Sequence, residues 1–175
     1  MKFTCYHGTK SNYADIIIRT KSFTPSGTER DWLGKGCYFY VDCKNSAFNF
    51  CKTVKRFSDD EIVVIEAIIS SENYYDLTNE STYDAYQEIL KRLRERVLRS
   101  KEAKTYPRIL DGHCIDIINK TMNYDHILVK FRLGEKYKEG YSRIINPKLL
   151  NDNTVKRVVC VKNTSCIETS SIKEA

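Results

Sequence analysis

Apolar and polar positions change period several times along the 175-residue chain, and each change predicts an element. Lys2 to Tyr6 is a short β-rich run that reaches His7, and Gly8 breaks it. Ser11 can cap a helix over Asn12 to Arg19, in which Tyr13, Ile16 and Ile17 fall at helical spacing. Lys21 to Leu33 contains Pro25, Gly27 and the charged Thr28-Glu29-Arg30-Asp31, so it reads as an irregular loop. Cys37 to Val41 is a second strand, and Cys43 to Val54 is expected to be helical with Ala47, Phe48, Cys51 and Val54 on one side. Glu61 to Ile69, nearly continuous in Ile and Val, has the pattern of a strand covered on both faces.

The longest predicted helix runs from Ser81 to about Ala103, with Ser81 and Asp84 as its cap. Tyr83, Tyr86, Leu90, Leu93 and Val97 step by three and four along a core-facing stripe. After Pro107, a helix around Leu110 to Lys120 leads to a strand at His126 to Arg132 and a Lys/Glu-rich turn. The last predicted strand is Val158 to Lys162, and the residues from Thr164 onward lack a strong pattern. With no internal repeat, low-complexity tract or linker, the chain is expected to be one domain mixing helices and strands, over residues 1–167, followed by a tail at 168–175.

Composition narrows the function classes. At 41% hydrophobic the chain has enough apolar content for a sizeable core. The net charge of +6, from 29 basic and 23 acidic residues, suits an anionic ligand such as a dinucleotide or nucleic acid. No apolar run approaches the roughly 20 residues of a membrane span, and Met1-Lys2-Phe3 leads into a strand instead of a signal segment, so a cytoplasmic protein without membrane contact is expected. Seven cysteines without a CxxC pair argue against a disulfide framework or zinc site; reduced thiols and no metal are expected.

The candidate chemistry lies in two stretches: Cys5-Tyr6-His7-Gly8-Thr9, and Gly34-Lys35-Gly36-Cys37-Tyr38-Phe39-Tyr40 running on to Asn45-Ser46-Ala47. Each is an apolar or aromatic strand ending in residues able to hold a flat ring that bears an amide. Gly8 lacks a Cβ, so its backbone can press against a ligand and pair with a carboxamide. Ser46 can add a hydroxyl hydrogen bond. Tyr38 offers a stacking face, an aromatic contact being worth roughly 0.5 to 1.5 kcal/mol beyond burial. His7 can bond a ribose hydroxyl.

Taken together, Tyr6-His7-Gly8-Thr9, the helix from Ser11 to Arg19, and Gly34-Lys35-Gly36-Cys37-Tyr38-Phe39 followed by Ser46-Ala47 resemble the catalytic domain of poly-ADP-ribose polymerases and diphtheria-toxin-like ADP-ribosyltransferases. The closing Val159-Cys160-Val161-Lys162-Asn163 and Cys166-Ile167 also resemble small bacterial and phage members of that group. The resemblance implies an α+β fold: a split core of two small antiparallel sheets with flanking helices and an NAD cleft between them. It implies NAD as substrate and a monomer that transfers ADP-ribose to a protein or nucleic-acid acceptor.

In that family a histidine on the first strand, a tyrosine on the second and a glutamate opening a late strand form an H-Y-E triad. His7 and Tyr38 match the first two places, and Gly8 and Ser46 match the positions that hold the carboxamide. Thr9 and Phe39 flank the same site. The third place departs from the pattern: aligning the last strand puts Val158 where the glutamate would stand, giving H-Y-V. Glu139, and after it Glu135, are the acidic alternatives from the preceding turn. The second side of the ring, usually a tyrosine in the family, falls among Phe48, Asn49 and Phe50, although Phe48 at helical spacing from Cys51 also fits the core.

Other readings fit the same residues. A histidine after a strand is often structural, and a GxG before aromatics is common in turns. An apolar third place also fits an NAD glycohydrolase or an NAD-binding module without chemistry. The basic face Lys91, Arg92, Arg94, Arg96, Arg99 and Lys101 suits phosphates, and equally the solvated side of an amphipathic helix.

Overall fold

A computed structural model of the chain describes residues 1–27, 31–99, 110–132, 144, 146–148 and 155–175. Strand β1 (Lys2–Lys10) and helix α1 (Ser11–Thr20) are followed by β2 (Cys37–Val41) and α2 (Lys44–Phe50), which runs into a π-helical turn at Cys51–Lys55. Then come β3 (Ile62–Ser70), β4 (Tyr74–Asp76), α3 (Glu80–Arg99), α4 (Leu110–Met122), β5 (His126–Arg132), β6 (Val155–Val161) and β7 (Ile167–Glu174). The fold is mixed α and β, with seven strands in one sheet of order β4-β5-β6-β2-β1-β3-β7 and four α-helices among the described residues. No helix among the described residues is long and apolar enough to cross a membrane.

Two small sheets were the expectation, and one hydrogen-bonded sheet is observed. Its halves meet at a narrow joint. Strand β1 pairs with β3 over nine positions, from Lys2↔Ser70 to Lys10↔Ile62, but with β2 only at Cys5↔Val41 and Tyr6↔Tyr40. Strand β2 pairs along its other edge with β6, from Cys37↔Val161 to Tyr40↔Val158. All neighbours are antiparallel except β4 and β5.

The two-residue period of the strands builds a core on each face. Tyr40, Val158 and Cys160 turn to one side, where Ala47 of α2, Tyr86 and Leu90 of α3, and Ile115 and Ile118 of α4 bury them. Cys5, Phe39, Ile65, Val159 and Val161 turn to the other, against Ala14 of α1 and Ile167 and Ile172 of β7. The Ile/Val run of β3 serves both faces: Val64 joins the first cluster, and Ile65, Ala67 and Ile69 the second.

Several predicted details shift. Helix α1 begins at Ser11 with Lys10 in the capping position and no side-chain cap, and it buries Ala14 while Tyr13 and Ile16 remain exposed. The stripe is rotated because the small Ala14 allows the closer approach to the sheet. Ala47 of α2 and Cys51 at the start of the π turn are buried, but Val54, within that turn, is exposed. Asn79, not Ser81, caps α3: its Oδ1 accepts from the Ser81 N–H at 3.0 Å and the Thr82 N–H at 3.3 Å. Tyr83, Tyr86 and Leu90 are buried as expected, while residues 100–103 lie outside the described residues.

Strand β4, too short for a pattern, was not predicted. The expected tail is a correction of a different kind, because residues 168–175 largely form β7, which extends the sheet along β3 through Ile69↔Ile167, Ile68↔Glu168, Glu66↔Lys173 and Ile65↔Glu174. Its exposed Thr169 and Ser170 and the half-buried, charged Glu168 hid the strand, since only Ile167 and Ile172 turn into the core.

At the start of β5, His126 is fully buried, stacked on Tyr74 at 5.3 Å and 7° and edge-on to Phe3, with neither ring nitrogen hydrogen-bonded. Burial, opposed by Asp125, lowers its pKa to about 4. The unfolded chain takes up this proton near pH 6.5. Stability is therefore complete above that pH and falls as pH drops toward 4, by about 3 kcal/mol for this group. Urea titrations at pH 7 and pH 4 will give a smaller stability difference for His126→Phe than for the natural chain, the phenyl ring preserving the stack.

Candidate functional site

The strand joint decides where the site lies. Its register, Cys5↔Val41 and Tyr6↔Tyr40, carried two residues further would set Gly8 opposite Tyr38. That pairing does not form. The Asp42 N–H donates to the Thr4 carbonyl at 3.0 Å, so the backbone groups of Thr4 and, by alternation, of Tyr6 and Gly8 are turned toward β2. Gly8 thus presents its N–H and C=O into an opening where β2 has moved away.

His7 spans that opening. Its Nδ1 lies 2.8 Å from the Tyr38 carbonyl oxygen, the acceptor that a continued ladder would offer to Gly8. A carbonyl can only accept, so Nδ1 holds the proton and the neutral ring keeps Nε2 as a free acceptor. The ring is seated on the second core by edge contacts with Phe23 at 5.5 Å and a tilted contact with Phe39 at 5.5 Å. Burial lowers the His7 pKa, the bond to Tyr38 opposes this, and the Lys55 ammonium on the π turn lowers it further. The imidazole is neutral at pH 7.

Tyr38 is held from its own loop. Its hydroxyl donates to the Gly34 carbonyl at 2.6 Å and accepts from the Leu33 N–H at 3.0 Å. Burial, then Cys160, raises the phenol pKa, so the group stays protonated. Trp32 leans on the Tyr38 ring at 5.4 Å and stacks on Phe131 at 4.0 Å and 25°.

Gly8 has a packing reason of its own. A Cβ there would stand 2.4 Å from the Ala47 carbonyl oxygen and 2.7 Å from Cys51 Sγ, so only glycine lets β1 lie under α2. Thr9 follows at Thr9↔Val63. Ser46 is buried in the first turn of α2, its hydroxyl 2.8 Å from Cys43 Sγ. Phe48 and Phe50 pack on the first core from its edge, and Phe50 lies 6.2 Å from Tyr40. The fold therefore brings His7, Gly8 and the Tyr38 backbone together at the joint, beside the helix that carries Ser46, Phe48 and Phe50, while the His7 ring packs on the second core and the Tyr38 ring on the first.

The third place is different. Val158 is 1% exposed, paired with Tyr40 and Val129 in the first core, where its side chain contributes packing and has no polar function to offer. Glu139 and Glu135 lie outside the described residues. On α3, Lys91, Arg92, Arg96 and Arg99 are exposed, the disposition of a solvated face. An open depression lined by Tyr74, Tyr75, Asp76, Asn79, Thr82 and Tyr124 sits at the β4 edge, with β5, β6 and β2 between it and His7.

Three residues that pattern reading missed stand behind Tyr38. Trp32 is the one tryptophan of the chain, Asp116 a carboxylate on the apolar helix α4, and Lys162 a lysine closing the run Val158 to Val161. Each was legible only as an odd residue in an apolar setting. Among the described residues, no group of three His, Cys, Asp or Glu side chains is arranged to hold a metal ion.

No family model and no solved structure matches the chain. It is 31% identical over 86 residues to an uncharacterised protein of Methanocaldococcus jannaschii, a match covering 45% of this chain and 38% of that one. The chain spans well under half the length of that relative.

Gly8→Ala forces backbone against Cβ and will lower stability by about 1 to 3 kcal/mol. Chemical denaturation of the variant checks this, with Gly27→Ala, whose Cβ would touch only the Lys35 side chain at 3.7 Å, as the near-neutral comparison.

Proposed function

We propose that the chain is an NAD-dependent mono-ADP-ribosyltransferase acting on a protein or nucleic-acid acceptor. The observation that carries the reading is the unpaired Gly8 backbone beside Tyr38, with His7 bridging the two strands and its Nε2 left as an acceptor. These residues fit NAD. A carboxamide needs one donor and one acceptor on a single backbone unit, and Gly8 turns both into the opening. His7 would hold a ribose hydroxyl through Nε2, and Tyr38 would supply an aromatic face. NAD, when bound, supplies ADP-ribose as its bond to nicotinamide breaks.

The chain's own residues orient that donor and keep the His7 proton on Nδ1. What they do not provide among the described residues is the family's third-place carboxylate. A positioned general base is worth about 10² to 10⁴-fold. The burial of Val158 therefore favours a second reading, an NAD-binding module of weak or absent turnover, and an NAD glycohydrolase is its hydrolytic variant.

Incubating the protein with labelled NAD and a cell lysate will release nicotinamide and label an acceptor. His7→Ala and Tyr38→Ala will reduce both by about tenfold or more. Free ADP-ribose as the main product identifies the glycohydrolase. Calorimetric NAD binding without product identifies the module. No binding and no product overturns all three. Because His7 is already neutral, NAD affinity will be flat between pH 7 and 8, and a steep change there would contradict the neutral ring.

A further inference from the structure

Lys162 is a lysine whose side chain is only 5% exposed, at the end of β6. Its ammonium has three protons to donate, and three acceptors surround it: the Leu33 carbonyl at 2.7 Å, the Lys35 carbonyl at 2.7 Å and Asp116 Oδ1 at 3.0 Å. Asp116 returns to the same loop by accepting the Lys35 N–H at 3.1 Å. The pair thus grips residues 33–35 from both sides, one partner just past the end of β6 and the other on α4.

Between the gripped carbonyls sits Gly34, at φ +69, where a Cβ would fall 2.1 Å from Asp116 Oδ1. Glycine is required there by its conformation and by the carboxylate pressed against it. A turn bond from the Gly34 N–H to the Asp31 carbonyl at 2.9 Å closes the loop. Gly36 needs the same economy of space, since its Cβ would meet Cys160 Sγ at 2.5 Å and the Val161 carbonyl at 2.6 Å. The Gly-Lys-Gly sequence is therefore shaped to this anchor. Taking the Lys162 ammonium almost wholly out of water to hold one surface loop, with the half-exposed Asp116 as its counter-charge, is costly unless the loop's position matters.

The groups that this anchor holds are those that hold Tyr38. Leu33 N–H and Gly34 C=O are the two partners of its hydroxyl, and Trp32 against its ring belongs to the same segment. We propose that Lys162 and Asp116 are positioning residues for Tyr38: they fix the 33–35 loop, and through it the ring orientation in which the site receives nicotinamide. This rests on the NAD reading above for its ligand, and on geometry alone for the anchor.

The test compares the natural chain with Lys162→Met, which keeps the stem and removes the charge, and with Asp116→Asn, the milder change should Lys162→Met fail to fold. Ile172→Ala, in the core between β3 and β7, is the control for lost stability without a loop effect. NAD and nicotinamide dissociation constants are measured by calorimetry, and acrylamide quenching of Trp32 fluorescence reports the loop directly. We expect NAD and nicotinamide to bind about tenfold more weakly in both anchor variants. Trp32 will be more readily quenched in the same variants, and both readouts will be unchanged in Ile172→Ala. Natural-strength binding and unchanged quenching in a folded anchor variant overturn the proposal. A matching loss in Ile172→Ala also overturns it, reducing the anchor to general stability. If the natural chain binds neither ligand, the NAD reading fails, while raised Trp32 quenching in the anchor variants alone still upholds the anchor and its absence overturns that as well.

Discussion

Everything near the site follows from the point at which β1 and β2 stop pairing. Two residue pairs join the halves of the sheet, and beyond Tyr6↔Tyr40 each strand keeps only its outer neighbour, β3 for β1 and β6 for β2. A free strand edge inside a sheet is expensive, because backbone donors and acceptors lose their partners. One acceptor, the Tyr38 carbonyl, is satisfied by the His7 side chain instead of by backbone. The substitution satisfies β2 and leaves Gly8 of β1 open. A histidine suits this role because it reaches across the gap with one nitrogen and still carries a second polar atom.

The two strands are held apart by different means. Strand β1 is pinned from above by α2, whose Ala47 carbonyl and Cys51 thiol occupy the volume that any side chain at position 8 would need. Strand β2 is fixed by β6 and by the loop before it, where Lys162 and Asp116 close around Leu33, Gly34 and Lys35. The glycines on both sides are demanded by close packing, so their presence has a structural cause before any ligand is considered. That the same packing exposes one backbone amide and orients one aromatic ring is what makes the joint a candidate site.

The sequence was readable where local pattern and tertiary role coincide. The boundaries of β5 were legible because His126 to Arg132 alternates between buried faces, and the joint itself was legible in His7, Gly8 and Tyr38 because glycines and aromatics at strand ends carry turn and packing signals. Position 14 was not, since an alanine gives no hint that a helix will press its smallest residue to the sheet. Strand β7 was hidden because an edge strand with one buried face needs only Ile167 and Ile172 inside. The Lys162 and Asp116 anchor was invisible for a different reason: its partners are backbone carbonyls and an amide separated by 127, 129 and 81 residues from the charges that bind them, and backbone groups leave no mark in a sequence.

The same distinction bears on the third place of the triad. A sequence alignment can say that Val158 stands where the resembling family has glutamate; it cannot say what surrounds it. Here the side chain is sealed between Tyr40 and Val129, on the face shared with Cys160. A carboxylate placed there would lose its hydration without gaining a cation, since Lys162 already satisfies its three donors elsewhere. Replacing one residue would therefore not recreate an H-Y-E site, because the apolar neighbours belong to the position as much as the valine does. On the proposed reading, holding NAD draws on backbone, one imidazole and one ring that the fold fixes for its own stability. Turnover must draw on a polar group supplied from somewhere other than β6.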